Sequence, residues 1–294
     1  MLSNLNYNLQ SFKKGPDYID MSWLSLASKS NCYNLDFNTQ TNSEIKNFFN
    51  LKKLDFNIIE GNKGLFDGVN ESGQDDNSAL SVLLEIPVLL IVDTEGITRG
   101  IAPLLQGYLN FNKKCNIQGV VLNKVKTDRH EDKLVNAVNN YTDIKVLGSI
   151  RKSKELLISE RHLGLVPANE KKYAEKKINT VSKIISESID IKSFKKIGLN
   201  IKNKTKKTVK KKNLINNLSD SKIKIGIFYD QSFGFYYKDD LEKFKKYGAD
   251  LVFINSFKDK NLPNVDGLFI GGGFPEIYAE KIEKNKTLIQ DVKN

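Results

Sequence analysis

The sequence predicts an α/β fold built from doubly wound parallel sheets, and three observations lead there. Short runs rich in Val, Ile and Leu recur with little polar interruption, as expected of strands covered on both faces. Stretches of helical spacing separate them. Acidic, amide or glycine residues stand where the runs end, which is where such sheets place their ligands, beyond the carboxyl ends of the strands.

In chain order, the runs of the first part are FNIIEG (56–61), IPVLLIVDT (86–94), IQGVVLNKV (117–125) and IKVLGSI (144–150). Helices are predicted between them at 77–84, 99–109 and 130–140, the last carrying Leu134, Val135 and Val138 at helical spacing. The second part repeats the scheme with IKIGIFYD (223–230), a helix through LEKFKKYG (241–248), ADLVFINS (249–256) and DGLFIGGG (266–273). No apolar stretch approaches the roughly 20 residues that span a bilayer, and the first residues carry neither a basic flank nor an apolar segment of a secretory leader. Cys32 and Cys115 lie far apart without metal-ligand or disulfide spacing, so a cytoplasmic location is expected.

The net charge of +11 is concentrated in one place. Between Lys192 and Lys222, eleven lysines face a single acid, Asp220, leaving about one net positive charge for the rest of the chain. The run has no interleaved Tyr or Trp on which bases could stack, which reads as a solvated linker rather than a nucleic-acid tail. The expected organisation is a domain over 1–190, a Lys-rich linker over 191–222 and a second domain from 223 to 294.

Candidate site residues fall at the predicted strand ends. In FKKGPDYID (12–20), Lys13 precedes a Gly15-Pro16 turn flanked by Asp17 and Asp20; an ordinary solvent-facing turn is the competing reading. In EGNKGLFDG (60–68), Glu60 ends a strand where phosphate-handling α/β proteins hold Mg²⁺, although capping acids in a glycine-rich turn would look the same. Asp93 and Asn123 end two further strands, and a strand-end amide can offer a donor and an acceptor to a purine edge. His130 and His162, the two histidines, have no metal spacing and read as structural.

Taken together, FKKGPDYID, EGNKGLFDG, IVDTEGITRG (91–100), GVVLNKV (119–125), ERHLGLVPA (160–168), FYYKDDLEKFKKYGADLVF (235–253) and DGLFIGGGFPEIYAE (266–280) resemble, in order and spacing, the cobyrinate a,c-diamide synthase family. The resemblance covers nearly the whole chain outside the lysine run. It implies a dethiobiotin-synthetase-like, P-loop-type ATPase domain followed by part of a class I glutaminase domain. It further implies ATP and Mg²⁺ as cofactors, a corrinoid tetrapyrrole as substrate, and glutamine or ammonia as nitrogen source. Carried over by position, Glu60 and Asp17 would hold Mg²⁺ and Lys13 would contact phosphates. Asp17, Asp20 and Asp67 would line the metal and tetrapyrrole side, and Asn123 would bind adenine. Gly272 and Gly273 would supply N–H groups near the oxyanion hole, glycine being suited to backbone angles that aim successive amides at one oxygen.

The family's Gly-Lys-Thr phosphate loop has no counterpart, since the sequence contains no Gly-Lys pair, and neither cysteine stands where the glutaminase nucleophile belongs. The resemblance therefore implies a chain cut at both ends, lacking a central strand and inactive alone, with a homodimer or a complementing chain as candidate partners. Smaller departures are Arg151-Lys152, Ser159 and Gly234. A non-catalytic binding remnant and an amidoligase for another tetrapyrrole, such as nickel-sirohydrochlorin, are the alternatives.

Overall fold

Three parallel three-stranded sheets organise the chain in its computed structural model, which describes Leu2 and residues 7–158, 160–161, 164–165, 171–199 and 223–294. The first part runs β1 (Leu9–Lys14), α1 (Ile19–Ser28), β2 (Tyr33–Leu35), α2 (Asn42–Lys52), β3 (Phe56–Glu60), α3 (Asn77–Leu84), β4 (Val88–Asp93), α4 (Ile101–Phe111), β5 (Ile117–Val125), α5 (Asp128–Tyr141) and β6 (Val146–Arg151). A two-stranded antiparallel pair follows, β7 (Glu160–Arg161) and β8 (Gly164–Leu165), then α6 (Lys171–Ser188) and α7 (Ile191–Leu199). The second part comprises β9 (Lys224–Phe228), β10 (Phe233–Phe235), α8 (Lys238–Lys246), β11 (Asp250–Ile254), β12 (Gly267–Phe269), β13 (Gly272–Gly273), α9 (Ala279–Glu283) and α10 (Lys286–Lys293).

The α/β expectation holds. Strand orders are β2-β1-β3, β4-β5-β6 and β11-β9-β12, all parallel. Local chemistry sets the helix starts. Thr41 and Glu44 form a reciprocal capping box on α2, and the Asp76 and Thr127 side chains accept from Ala79 N and His130 N at the starts of α3 and α5. The main core packs one face of β4 and β5 against α4 and α5 through Leu90, Val92, Leu105, Leu122 and Leu134.

The lysine-rich stretch begins later than the sequence suggests, because its first nine residues form α7. Phe194 packs on Phe56 with ring centroids 5.9 Å apart, and Ile197 joins the cluster of Val121, Leu147 and Ile150. An apolar stripe between the lysines thus turns the first third of the run into a packed helix. The remainder of the run, 200–222, and His162 lie outside the described residues.

Between β3 and β4 lies a cavity of about 760 Å³, lined along the length of both strands and walled by Leu80, Leu104, Tyr108 and Phe194. Among the described residues β3 pairs with β1 alone and β4 with β5 alone, so each leaves a free ladder edge on one side. Parallel strands covered by helices do not ordinarily leave such edges open. Hydrogen exchange by mass spectrometry on this chain should therefore show β1 and β5, each paired on both sides, exchanging more slowly than β3 and β4. Equal protection of all four would mean that both edges are satisfied.

Candidate active site

Lys13 is the centre of the arrangement. It sits on β1, a strand whose six residues are all buried, and is itself only 3% exposed. Its ammonium donates to Asp20 Oδ2 at 2.8 Å and to the Gly61 carbonyl at 3.2 Å, and forms an ion pair with Glu60 at 3.6 Å. The β1–β3 register, which sets Lys13 opposite Glu60, produces this meeting directly. Asp17 is tied to the same group, because its Oδ1 accepts the Asp20 backbone N–H at 2.9 Å in the first turn of α1. Lys13, Asp17, Asp20 and Glu60, singled out from the sequence, are thus brought together at the carboxyl ends of two neighbouring strands.

Two amide side chains missed in the sequence hold the loops around this cluster. Asn34 on β2 donates to the Gly15 and Asp17 carbonyls at 2.7 and 3.0 Å. Asn77, the first residue of α3, accepts from Asn62 N at 3.0 Å and donates to the Asn62 and Gly64 carbonyls. Gly15 adopts a left-handed φ of 77°, and a Cβ there would fall 2.8 Å from Asn62, so the two loops abut where only glycine fits. The signal for Asn77 was its place just inside a helix start; that for Asn34 was faint, a lone amide in a short strand.

The electrostatics follow from crowding. Burial is the largest influence on Lys13 and lowers its pKa, but Asp20, Glu60 and Asp17 together outweigh it and hold the ammonium above its usual value. Burial raises Glu60, opposed by Lys13 and reinforced by Asp20 and Asp17, although 46% of its side chain stays accessible. Asp17 is raised as well, first by burial and then, against its backbone hydrogen bond, by Asp20. A site with one ammonium and three carboxylates carries surplus negative charge, which a divalent cation would relieve. No cluster of three or more His, Cys, Asp or Glu able to hold a metal occurs among the described residues. Mg²⁺, however, is ordinarily held by one or two carboxylates plus phosphates and water. Glu60 and Asp17 fit that donor set.

The other sequence candidates lie apart from this cluster. Asp67 closes a turn, its Oδ2 accepting from Gly64 N at 3.0 Å. Asn123 does not end its strand as expected, since β5 runs on to Val125; it stands in register with Asp93, its side-chain oxygen accepts from Lys124 N at 2.9 Å, and Lys124 Nζ reaches Asp93 at 2.6 Å. His130 is structural: Nδ1 accepts from Lys126 N at 3.2 Å, which leaves Nε2–H to donate to the Ile97 carbonyl at 2.6 Å. Cys32 is fully buried and its thiol is pushed up to about 12, chiefly by burial, so it offers no nucleophile.

Gly272 and Gly273 do not use the conformational freedom of glycine. Neither has a left-handed φ. Both form β13, opposite Phe235 and Phe233 of β10, and a Cβ on Gly273 would collide with the Ser232 carbonyl. Close approach of two backbones excludes a side chain at Gly273, whereas a Cβ on Gly272 would make only ordinary contact with the Phe235 side chain.

Two sets of contacts join the second part of the chain to the first. Tyr18, between Asp17 and α1, stacks on Tyr237 at 4.5 Å and on Phe235 at 5.4 Å, both nearly parallel. Glu242 on α8 accepts from Tyr33 Oη at 2.7 Å and pairs with Lys52.

Residues 15–158 match the AAA domain family, and residues 224–294 match the CobB/CobQ-like glutamine amidotransferase domain. Among curated proteins, the chain is similar to the cobyrinate a,c-diamide synthase of Magnetococcus marinus, with 38% identity over 97% of this chain and 62% of that protein. Those of Methanobrevibacter smithii (37%, 98% and 64%) and Caldanaerobacter subterraneus (34%, 98% and 63%) are alike in extent. The chain thus spans a little under two thirds of the length of these relatives.

Two stability measurements probe the cluster. Replacing Lys13 by Met removes a charge-assisted hydrogen bond and leaves Asp20 and Glu60 uncompensated, so urea unfolding should show a loss on the order of 2 kcal/mol. Asp17→Asn should act oppositely. Because the folded-state pKa of Asp17 is raised, its ionised form costs stability above that pKa and the cost vanishes at lower pH, where the carboxyl is protonated folded and unfolded alike. The Asn variant should therefore be more stable than the parent at pH 7.5 and converge on it as the pH falls toward 3. A constant difference across that range would remove Asp17 from the charged cluster.

Proposed function

We propose, for a chain that belongs by sequence to the cobyrinate a,c-diamide synthase family, that it supplies parts of both reaction centres of an ATP-dependent amidoligase. The substrate would be a tetrapyrrole bearing carboxylate side chains and the nitrogen donor glutamine. The observation that carries this reading is the Lys13, Asp17, Asp20 and Glu60 cluster at the ends of β1 and β3, one aromatic contact away from the glutaminase-like part. The proposed setting is the cytoplasm, where two buried free thiols persist.

A carboxylate resists attack by ammonia because oxide is a poor leaving group. In the reading offered here, a side-chain carboxylate oxygen of the substrate forms a bond to the γ-phosphorus of ATP as the bond from that phosphorus to the ADP oxygen breaks. Ammonia then attacks the acyl carbon, loses a proton, and phosphate departs to leave the amide. Lys13 meets the charge on the transferring phosphoryl oxygens with a fixed, desolvated cation. Glu60 and Asp17 would hold Mg²⁺, which neutralises phosphate charge when bound. Asp20 keeps the Lys13 ammonium in place. Asn123 would face the adenine, and Asp67 would keep the Gly64 turn shaped at the edge of the site. Gly272 and Gly273, flat against β10, would place backbone N–H groups near the carbonyl of glutamine. The free edges of β3 and β4 suit a further strand, supplied by other parts of a longer polypeptide or by a complementing chain.

In the full-length polypeptide, Glu60→Gln should lower the rate of MgATP- and glutamine-dependent amidation of cobyrinate by about 10² or more, with the thermal midpoint preserved. A well-folded variant with near-normal turnover would refute the assigned role.

A further inference from the structure

A second cavity, of about 750 Å³, lies between the two parts of the chain, and the Lys13 cluster does not line it. Its floor is the carboxyl end of β9 and β11, represented by Tyr229, Asp230, Asn255 and Phe257; its roof is the outer face of α1 from Tyr18 to Lys29. The stacking of Tyr18 on Phe235 and Tyr237 borders one end. Bridging by Glu242 to Tyr33 and Lys52 fixes α8 beside it. Two independent contacts therefore hold the walls at a set separation.

The lining has a consistent chemistry. Lys29, Lys238 and Lys258 bring three cations. The one acid, Asp230, is spent on the protein itself: Oδ1 accepts from Ser232 N, Ser232 Oγ and Phe233 N, and Oδ2 from Ser256 N. Tyr18, Tyr229, Phe235 and Phe257 supply aromatic surface. A volume of this order, within the roughly 300–1,000 Å³ of small-molecule sites, suits one large ligand with flat apolar faces and anionic edges.

We propose that this cavity is where the tetrapyrrole macrocycle lies, its peripheral carboxylates paired with Lys29, Lys238 and Lys258 and its face against Phe257 and Tyr229. The assignment rests on the amidoligase reading above and adds the place and the recognising residues. Tyr18 separates the cavity from Asp17 and Asp20, so a macrocycle lying here extends its carboxylate arms past Tyr18 toward the Lys13 cluster. The lysines orient the ring; they are not catalytic residues.

Uroporphyrin, an octacarboxylate tetrapyrrole, is the probe, with tetracarboxylate coproporphyrin for comparison and binding read by absorbance and fluorescence on the full-length polypeptide. The Lys238→Ala/Lys258→Ala pair should weaken uroporphyrin by about tenfold or more and flatten the salt dependence of binding. Phe257→Ala should weaken both probes and leave that salt dependence unchanged. MgATP affinity should not move in any variant. Unchanged porphyrin affinity in both variants, or displacement of porphyrin by MgATP, overturns the assignment. In amidation assays the lysine pair should raise the KM for the tetrapyrrole with kcat nearly constant. If the parent amidates a tetrapyrrole and the variants keep its KM, the cavity is wrongly assigned and the amidoligase reading stands. If the parent binds porphyrin here, with the variant pattern described, but amidates no tetrapyrrole, the amidoligase reading fails and the cavity assignment stands.

Discussion

A buried ammonium surrounded by carboxylates is the constraint around which the first part of the chain is arranged. Taking the Lys13 charge out of water is costly unless opposite charge and hydrogen bonds replace the solvent. Here Asp20, the Gly61 carbonyl and Glu60 do so from three directions. Those partners come from the start of α1 and the end of β3, so satisfying one cation fixes the turn after β1, the register of β1 on β3 and the loop that leaves β3. The amides of Asn34 and Asn77 then lock both loops from behind. Burial first, and then the neighbouring carboxylates, lift the carboxyls of Glu60 and Asp17 above their ordinary range.

The aromatic contact at Tyr18 extends that order to the second part. Tyr18 follows Asp17 directly, and its ring rests on Phe235 and Tyr237. Burial, then hydrogen bonding to Tyr18, raises the Tyr237 hydroxyl above its usual range, consistent with a tightly packed pair. Any shift of the glutaminase-like part is therefore felt within one residue of the carboxylate cluster.

Much of this was legible in the sequence, and the exceptions have physical reasons. β3, β4, β5, β6, β9, β11 and β12 announce themselves as apolar runs, and α3 appears at its observed bounds. β1 does not, because LQSFKK buries Gln10, Ser11 and Lys13 through hydrogen bonds, with Lys14 buried beside them, rather than through apolar side chains. In α7 the lysines dominate composition and hide the stripe of Phe194 and Ile197. Within the site, Glu60 was legible at a strand end, while Lys13, Asp17 and Asp20 came from the resemblance carried by the FKKGPDYID turn. The supporting amides and the packing role of Tyr18 depend on contacts between segments distant in sequence, which no local pattern encodes. Gly272 and Gly273 came from the family resemblance with a conformational rationale, whereas the structure requires glycine at 273 because the Ser232 backbone, just before the neighbouring strand, approaches it.

If the Lys13 ammonium occupies part of the space that the carboxylates would otherwise give to a cation, removing it should strengthen cation binding in the absence of nucleotide. The measurement is isothermal titration of Mg²⁺ into the parent chain and into Lys13→Met, both confirmed folded by circular dichroism. Tighter Mg²⁺ binding by the variant, removed again by Glu60→Gln, is the result this account predicts. Equal or weaker binding by the variant, or binding indifferent to Glu60, would contradict it.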